Sequence, residues 1–114
     1  MVINDLEQHL GESGYVTEDL SAPDGSSYLV IKGVVIAGGS LAGISCDVAI
    51  LRSTENPWVP QAALHVRPHL VPMGQHSTQA SPLGPDWQYW SRRFDRVPAP
   101  RNFLAHVLTV LGEV

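Results

Sequence analysis

The sequence predicts an α+β domain in which a short helix precedes a four-stranded antiparallel meander, a long irregular loop and a closing helix. Three observations carry this prediction. An amphipathic segment lies at each end of the chain, β-rich segments separated by tight turns lie between them, and a stretch without periodicity precedes the last helix. With 114 residues the chain has the length of one domain, so we expect residues 1–114 to share one core.

The N-terminal helix is predicted over residues 2–11. Val2, Ile3, Leu6 and Leu10 recur at the spacing that places side chains on one face of an α-helix. Two glycines soon follow and offer places for the helix to stop.

Four segments come next that each predict a strand: residues 15–20, 27–36, 44–52 and 62–67. The second of them is rich in β-branched residues. Pro-Asp-Gly at 23–25 separates the first two, and a glycine-rich stretch at 37–43 separates the second from the third. Tight turns join antiparallel strands, whereas parallel strands need long crossovers, so the predicted sheet is antiparallel.

Residues 68–86 are rich in proline, glycine, serine and histidine and show no periodicity, which predicts a long surface loop. Loops longer than about 12–15 residues are uncommon and often functional. A final helix is predicted after Pro98, starting near Pro100 or Asn102. Its apolar face consists of Phe103, Leu104, Val107, Leu108 and Leu111.

The net charge of −4 argues against nucleic acid as the main partner, because phosphate binding needs a concentrated positive surface. The dense basic cluster is Arg92, Arg93 and Arg96, and Asp86 and Asp95 flank it.

The single cysteine, Cys46, excludes an internal disulfide and favours a reducing, cytoplasmic compartment. The acidic, amphipathic N-terminus is unlike a signal peptide, and no apolar run approaches the ~18 residues of a membrane span. We therefore expect no membrane association.

The order of the elements resembles the ubiquitin-conjugating-enzyme fold. Residues 55–70, "ENPWVPQAALHVRPHL", are similar to that fold's proline-rich turn, last strand and His-Pro-Asn region. Trp87, followed by an amphipathic helix, is similar to the tryptophan and helix that come after the catalytic cysteine of the family.

Three segments resemble more closely a prokaryotic branch of this family, encoded beside ubiquitin-like proteins and their activating enzymes: "CDVAIL" (46–51), "VRPHLVPMG" (66–74) and "DWQYWSRRF" (86–94). The resemblance implies a role in transferring or presenting a ubiquitin-like protein, with an activating enzyme as a further partner. We expect no cofactor.

The sequence also departs from the family pattern. No cysteine occurs in residues 67–87, where the family places its catalytic one, and His69 follows a proline rather than preceding it. Arg93 stands where the branch signature, close to Trp-Ser-Arg-His, has histidine. Replacement of a native cysteine stays open as an explanation at Ser77, Ala80 or Ser81.

Cys46 is the one thiol that could carry a thioester. Strand alternation places it with Ile44, Val48 and Ile50 on an apolar face, which favours core packing. The alternative is a transferred catalytic cysteine, which would need exposure and a lowered pKa.

Three histidines, His65, His69 and His76, fall within a short stretch. A metal site is conceivable, but no carboxylate or cysteine nearby in sequence completes a ligand set, so we expect no metal. The resemblance implies that His69 stabilises a turn or a developing oxyanion.

The resemblance also brings Ser77, Thr78 and Ser81 to the nucleophile region. A serine nucleophile needs an adjacent base, and His76 is the neighbour in sequence. Loop polarity explains these residues equally simply and is the favoured interpretation.

Trp87 and Trp90 are three residues apart, as on one face of a helical turn. Large aromatic side chains anchor loops by burial, so we expect one or both to hold the 68–86 loop against the sheet. An exposed tryptophan acting as an interface hot spot is the alternative.

Arg92 is expected to stack on a tryptophan or to pair with Asp86 or Asp95. Stacking of nucleotides between these aromatics and arginines is disfavoured, because the acidic chain supplies little positive potential.

Three hypotheses on function follow. The favoured one is a divergent, non-catalytic conjugating-enzyme-like protein that binds a ubiquitin-like protein or its activating enzyme through the sheet or through Trp87, Trp90 and Arg92. The alternative is an active enzyme that carries the ubiquitin-like protein on Cys46. The third is a structural module without a role in conjugation.

Overall fold

The computed structural model describes residues 3–52, 61–94, 96 and 99–114. Within them the chain forms two helices and six strands, α1 (Ile3–Glu12), β1 (Thr17–Ser21), β2 (Ser27–Val35), β3 (Ser45–Leu51), β4 (Leu64–Arg67), β5 (Thr78–Ala80), β6 (Gln88–Trp90) and α2 (Pro100–Gly112). Most of the proline-rich turn of the resemblance falls in 53–60 and lies outside the described residues. No helix in the described ranges has the length and apolarity needed to cross a bilayer.

The six strands form one antiparallel sheet in the order β1-β2-β3-β4-β6-β5. The α+β class, both helices and the meander β1–β4 are confirmed, but the predicted strand count of four is wrong. β5 lies inside the predicted 68–86 loop and β6 follows directly after it. The two form an antiparallel pair, and β6 lies between β4 and β5.

The helix ends follow the predicted signals. Gly14 adopts φ 89°, a left-handed conformation that glycine reaches without steric cost, and the Tyr15 N–H donates to the Leu10 carbonyl at 3.0 Å. α2 starts at Pro100, whose fixed φ suits a first helical position.

The turn after β2 contacts the end of α2. The Ser40 N–H donates to the Val114 carbonyl at 2.8 Å, and Gly39 adopts φ 78°. A Cβ on Gly39 would collide with the backbone carbonyls of Gly112 and Val114. Glycine at this position therefore lets the turn approach the helix end.

Strand β2 contains a bulge near Gly33. Ile31 pairs with Val48 and Val34 pairs with Cys46, so β2 has one residue more than β3 over this interval. Gly33 has φ 65°, and its N–H donates to Asp47 Oδ1 at 3.0 Å. The bulge explains how Ile31 and Val34, three residues apart, both reach the same apolar core.

The two faces of the sheet carry different side chains. The helix-side cluster joins both helices to one face; its buried members are Leu6, Leu10, Leu29, Ile31, Val34, Ile36, Cys46, Val48, Ile50, Leu64, Val66, Val71, Trp90, Phe103, Val107, Val110 and Leu111. The outer cluster is much smaller; its buried members are Ala22, Tyr28, Val30, Ala49 and Trp87. Strand alternation separates the two sets.

Candidate functional site

Cys46 lies in the helix-side cluster with 3% of its surface exposed, in contact with the core that also contains Val48 and Ile50. Core packing is therefore confirmed. Burial, with a further contribution from the charge of Asp47, raises the pKa of the thiol to about 12. At neutral pH the group is a protonated thiol, which is neither a nucleophile nor a leaving group of use in thioester transfer.

His69 lies on the surface, beside an open cleft just after β4. Arg67, Pro68, Pro85 and Asp86 line the rest of the cleft, whose volume is about 410 Å³. Among the described residues that line the cleft there is one imidazole and one carboxylate but no thiol or hydroxyl nucleophile. The role of His69 in stabilising an oxyanion stays a prediction.

Trp87 and Trp90 lie on opposite faces of the sheet, so the predicted placement of both on one face of a helical turn is wrong. Trp87 directly precedes the extended strand β6, which ends at Trp90, and side chains three residues apart along an extended segment point in opposite directions. Trp90 belongs to the helix-side cluster with 0% exposure, and Trp87 belongs to the outer cluster with 3% exposure. Both indoles anchor the chain by burial, which contradicts the alternative of an exposed hot spot.

Arg92 stacks over Trp90, with its guanidinium carbon 5.5 Å from the ring centroid. Its carboxylate partner is Glu113, at 3.3 Å, rather than Asp86. Asp95, the other predicted partner, lies outside the described residues. Arg92 Nη1 also donates to the His76 carbonyl at 2.9 Å. This side chain therefore connects residues 68–77, the crossing segment between β4 and β5, to the residue that follows α2.

A serine–histidine pair that the sequence did not predict lies on the outer face. His65 Nδ1 and Ser81 Oγ are 2.8 Å apart, and Ser81 Oγ accepts a hydrogen bond from the Leu83 N–H at 3.1 Å. Burial lowers the pKa of His65 to about 4, so the ring is neutral at physiological pH. A base this weak removes a serine proton poorly, and the pair instead holds the segment after β5 onto the sheet.

The rings of Tyr28 and Tyr89 enclose His65, with centroids 5.0 and 5.1 Å from the imidazole. These contacts account for its burial. His76 and Ser77, the neighbouring base and nucleophile candidates, are both exposed, and no hydrogen bond joins their side chains within the described ranges. Loop polarity remains the simpler explanation for them.

The side-chain amide of the buried Gln88 bonds to several groups at once, which the sequence did not predict. Its Oε1 accepts hydrogen bonds from the Leu70 N–H at 3.0 Å, the Val71 N–H at 3.5 Å and Trp90 Nε1 at 3.4 Å. Its Nε2 donates to the Val71 carbonyl. One amide therefore satisfies the backbone of the segment that crosses from β4 to β5, a role that only the tertiary structure defines.

Asp47 is the centre of an ionic network on the outer face. Arg67 Nη2 lies 2.8 Å and Lys32 Nζ 3.4 Å from Asp47 Oδ2, and Glu18 lies 3.6 Å from the same lysine. Burial alone would raise the pKa of Asp47, but the hydrogen bonds from Arg67 and Gly33 and the neighbouring positive charges outweigh it and lower the pKa.

Arg67 connects this network to Trp87. Its guanidinium carbon lies 4.5 Å from the indole centroid, and the same side chain borders the His69 cleft. The candidate binding surface is therefore the cleft of Arg67, His69 and Asp86, backed by the buried Trp87. Across the described part of the chain, no three side chains of His, Cys, Asp or Glu are grouped as metal ligands would be.

No protein-family model, no curated protein and no solved structure matches this chain.

Proposed function

We propose that the chain is a ubiquitin-conjugating-enzyme-like domain that binds a ubiquitin-like protein, or the enzyme that activates it, without carrying that protein as a thioester. The observation that supports non-catalytic binding is the position of Cys46. It is the one cysteine in the chain, its side chain is buried, and its pKa is raised to about 12. Thioester transfer needs an exposed thiolate.

The order of helix, antiparallel meander, crossing segment and helix supports the family part of the proposal. The strands β5 and β6 extend that pattern and lie in the region where the family places its active site. In this chain the region is occupied by backbone and side-chain anchors, Gln88 and the His65–Ser81 pair, rather than by a nucleophile.

The cleft of Arg67, His69 and Asp86 is the surface that fits a partner best. It is a shallow, open cleft that presents an imidazole, a carboxylate and a guanidinium, and the guanidinium stacks on the buried ring of Trp87. Because both tryptophans are buried, replacing them would test folding rather than binding. His69 and Asp86 are exposed and make better probes.

Binding is tested by mixing the protein with a ubiquitin-like protein and an activating enzyme encoded beside its gene, with ATP, followed by native mass spectrometry and a non-reducing gel. We expect a complex with one of the two, equal for wild type and Cys46→Ser, and no thiol-sensitive adduct. Asp86→Asn should weaken the complex several-fold, whereas Glu12→Gln, which removes an exposed carboxylate from α1, should not.

Two results would contradict the proposal in different ways. An adduct that disappears with dithiothreitol and is absent in Cys46→Ala would establish the thioester alternative. If the protein forms no complex with either partner although the activating enzyme is active, both the binding proposal and the thioester alternative are excluded. The hypothesis of a structural module is then favoured.

The state of Cys46 can be measured without any partner. We expect iodoacetamide to modify the native thiol at pH 8 at least 100-fold more slowly than the thiol of the denatured chain, because a pKa of about 12 leaves roughly one thiol in 10⁴ ionised. Mass spectrometry of timed samples gives both rates. Comparable rates would show that the thiol is open to reagents and would restore the enzymatic alternative.

A further inference from the structure

A second cavity, of about 360 Å³, lies between the segment that follows β6 and helix α2. Arg93, Phe94 and Arg96 contribute from the segment, and His106 and Val110 contribute from the helix. The volume falls within the ~300–1,000 Å³ of small-molecule sites. The cavity is separate from the cleft at His69, with which it shares no lining residue.

The lining of this cavity is positive in a chain that is negative overall. Its described lining residues include Arg92, Arg93 and Arg96 and one acidic residue, Glu113, whereas the whole chain carries a net charge of −4. Three of the seven lysine and arginine residues of the chain therefore face one concave site. Asp95, between the arginines in sequence, lies outside the described residues.

The three arginines are not equivalent. Arg92 is occupied by Glu113, by two backbone carbonyls and by the face of Trp90. The ion pair with Arg92 also neutralises Glu113, the one carboxylate among the described lining residues. Arg93 and Arg96 are exposed, and neither forms an ion pair with another described residue. Their guanidinium groups are thus open to a ligand.

The remaining wall is uncharged or aromatic and consists of Phe94, His106, Thr109 and Val110. The rings of Phe94 and His106 are 4.5 Å apart, and Phe94 also packs edge-on against the buried Phe103. His106 Nε2 donates to the Ala62 carbonyl at 2.9 Å, since a carbonyl can only accept, and this bond fixes the imidazole. Val110 completes the surface.

From this arrangement we propose that the cavity binds a small ligand through an oxyanion, a carboxylate or a phosphate. Arg93 and Arg96 hold the oxyanion, and Phe94 and Val110 contact the apolar part of the ligand. Guanidinium groups match the geometry of both oxyanions and form charge-assisted hydrogen bonds with them. The site lies apart from the cleft at His69 that is proposed to bind a protein partner.

Three probes of similar size test the chemistry by isothermal titration calorimetry and by NMR titration of the arginine side chains: phenyl phosphate, phenylacetate and neutral phenylacetamide. We expect at least one of the two anions to bind at least about tenfold more tightly than the amide, because charge-assisted hydrogen bonds to the arginines are lost with the amide. The anion that binds more tightly shows whether the site prefers a phosphate or a carboxylate. Shifts of Arg93 and Arg96 signals locate it.

Arg93→Gln and Arg96→Gln should each weaken binding of that anion at least about fivefold while circular dichroism and Tm stay unchanged, because both side chains are exposed. Lys32→Gln is the matched control, since it removes one positive charge from the outer face and should change binding less than twofold. The proposal is overturned if neither anion binds, if the amide binds equally well, or if the Lys32 variant loses as much affinity as the arginine variants.

Discussion

The two faces of the sheet differ in how they exclude water. The helix-side face is covered by α1, α2 and the crossing segment. Its cluster is apolar, and the buried polar side chains of Gln88 and Thr78, on β6 and β5, lie beside it. The outer face has no helix over it within the described part of the chain. Its small cluster is covered by its own aromatic rings, by the segment after β5 and by the network around Asp47.

This difference separates two kinds of stabilisation. The helix-side face depends on apolar burial, which involves no charges and therefore responds little to moderate changes of pH or to the screening of charges by salt. The outer face depends on a neutral buried histidine and on partly exposed charges, both of which respond to solution conditions. A change in pH or salt concentration should therefore reduce the stabilisation from the outer face more than that from the helix-side face. Substitutions on each face can separate the two contributions.

Trp90→Ala should have the largest effect, a loss of about 4 kcal/mol in the free energy of unfolding, because an indole is removed from the fully buried helix-side cluster. Trp87→Ala should cost about 1 kcal/mol less, because its cluster is smaller and lies beneath charged groups. Urea denaturation followed by circular dichroism gives both values. If Trp90→Ala does not fold, Trp90→Phe should still be less stable than Trp87→Phe; the reverse order would contradict the distinction between the faces.

Acid should weaken the outer face through His65. Burial lowers its pKa to about 4 in the folded protein, against an ordinary histidine value of 6.5, so the unfolded chain takes up the proton first as pH falls. The stabilisation is complete above pH 6.5 and declines down to about pH 4, at about 1.4 kcal/mol per pH unit, or about 3 kcal/mol in total.

The measurement is the free energy of unfolding between pH 4 and 7 for wild type and His65→Phe. The variant should show a shallower decline by this amount. Identical profiles for the two proteins would mean that the buried ring accepts a proton as readily as the unfolded chain does.

Gln88→Ala should cost about 2 kcal/mol, since it leaves the buried Val71 backbone and the Trp90 indole N–H without their partner. Gln79→Ala is the matched control, because Gln79 is exposed on the neighbouring strand β5 and should change stability by less than about 0.5 kcal/mol. Hydrogen exchange should show faster exchange at Leu70 and Val71 in the Gln88 variant. Unchanged exchange at Leu70 and Val71 would show that the Gln88 amide does not hold the backbone of these residues.

Asp47→Asn should have the smallest effect, about 1 kcal/mol at low salt, since its partners are partly exposed and screened by water. The difference from wild type should shrink in 1 M NaCl. Glu18→Gln, with its single 3.6 Å contact to Lys32, should change stability less. Equal, salt-independent effects of the two substitutions would show that the network stabilises by packing alone.

The sequence predicted the parts of the fold whose signals are local. The periodicity of residues 2–11 and the β-branched runs of β2 and β3 were confirmed within one or two residues. The strands β5 and β6 were missed because three residues are too few for a periodic signal. Their pairing depends on Gln88 and on the ordering of the crossing segment, which are tertiary contacts.

In the candidate site, too, the features with local sequence signals were predicted and those that depend on tertiary contacts were not. Burial of Cys46 followed from strand alternation, and the stacking of Arg92 on a tryptophan followed from their proximity in sequence. The faces of Trp87 and Trp90 could not be assigned, because a spacing of three suits a helical turn as well as two sides of a strand. The His65–Ser81 bond joins residues sixteen apart, and nothing in the intervening sequence signals it.

Because of the bulge at Gly33, the curvature of the sheet depends on the ionic network around Asp47 on the outer face. An extra residue in β2 bends the strand and increases its twist. The N–H of Gly33 is held by Asp47, while the two residues on either side of the bulge, Ile31 and Val34, are buried beneath the helices. A ligand or partner that draws Asp47 or Arg67 away from their present contacts would thus alter the shape of the surface on which both helices rest.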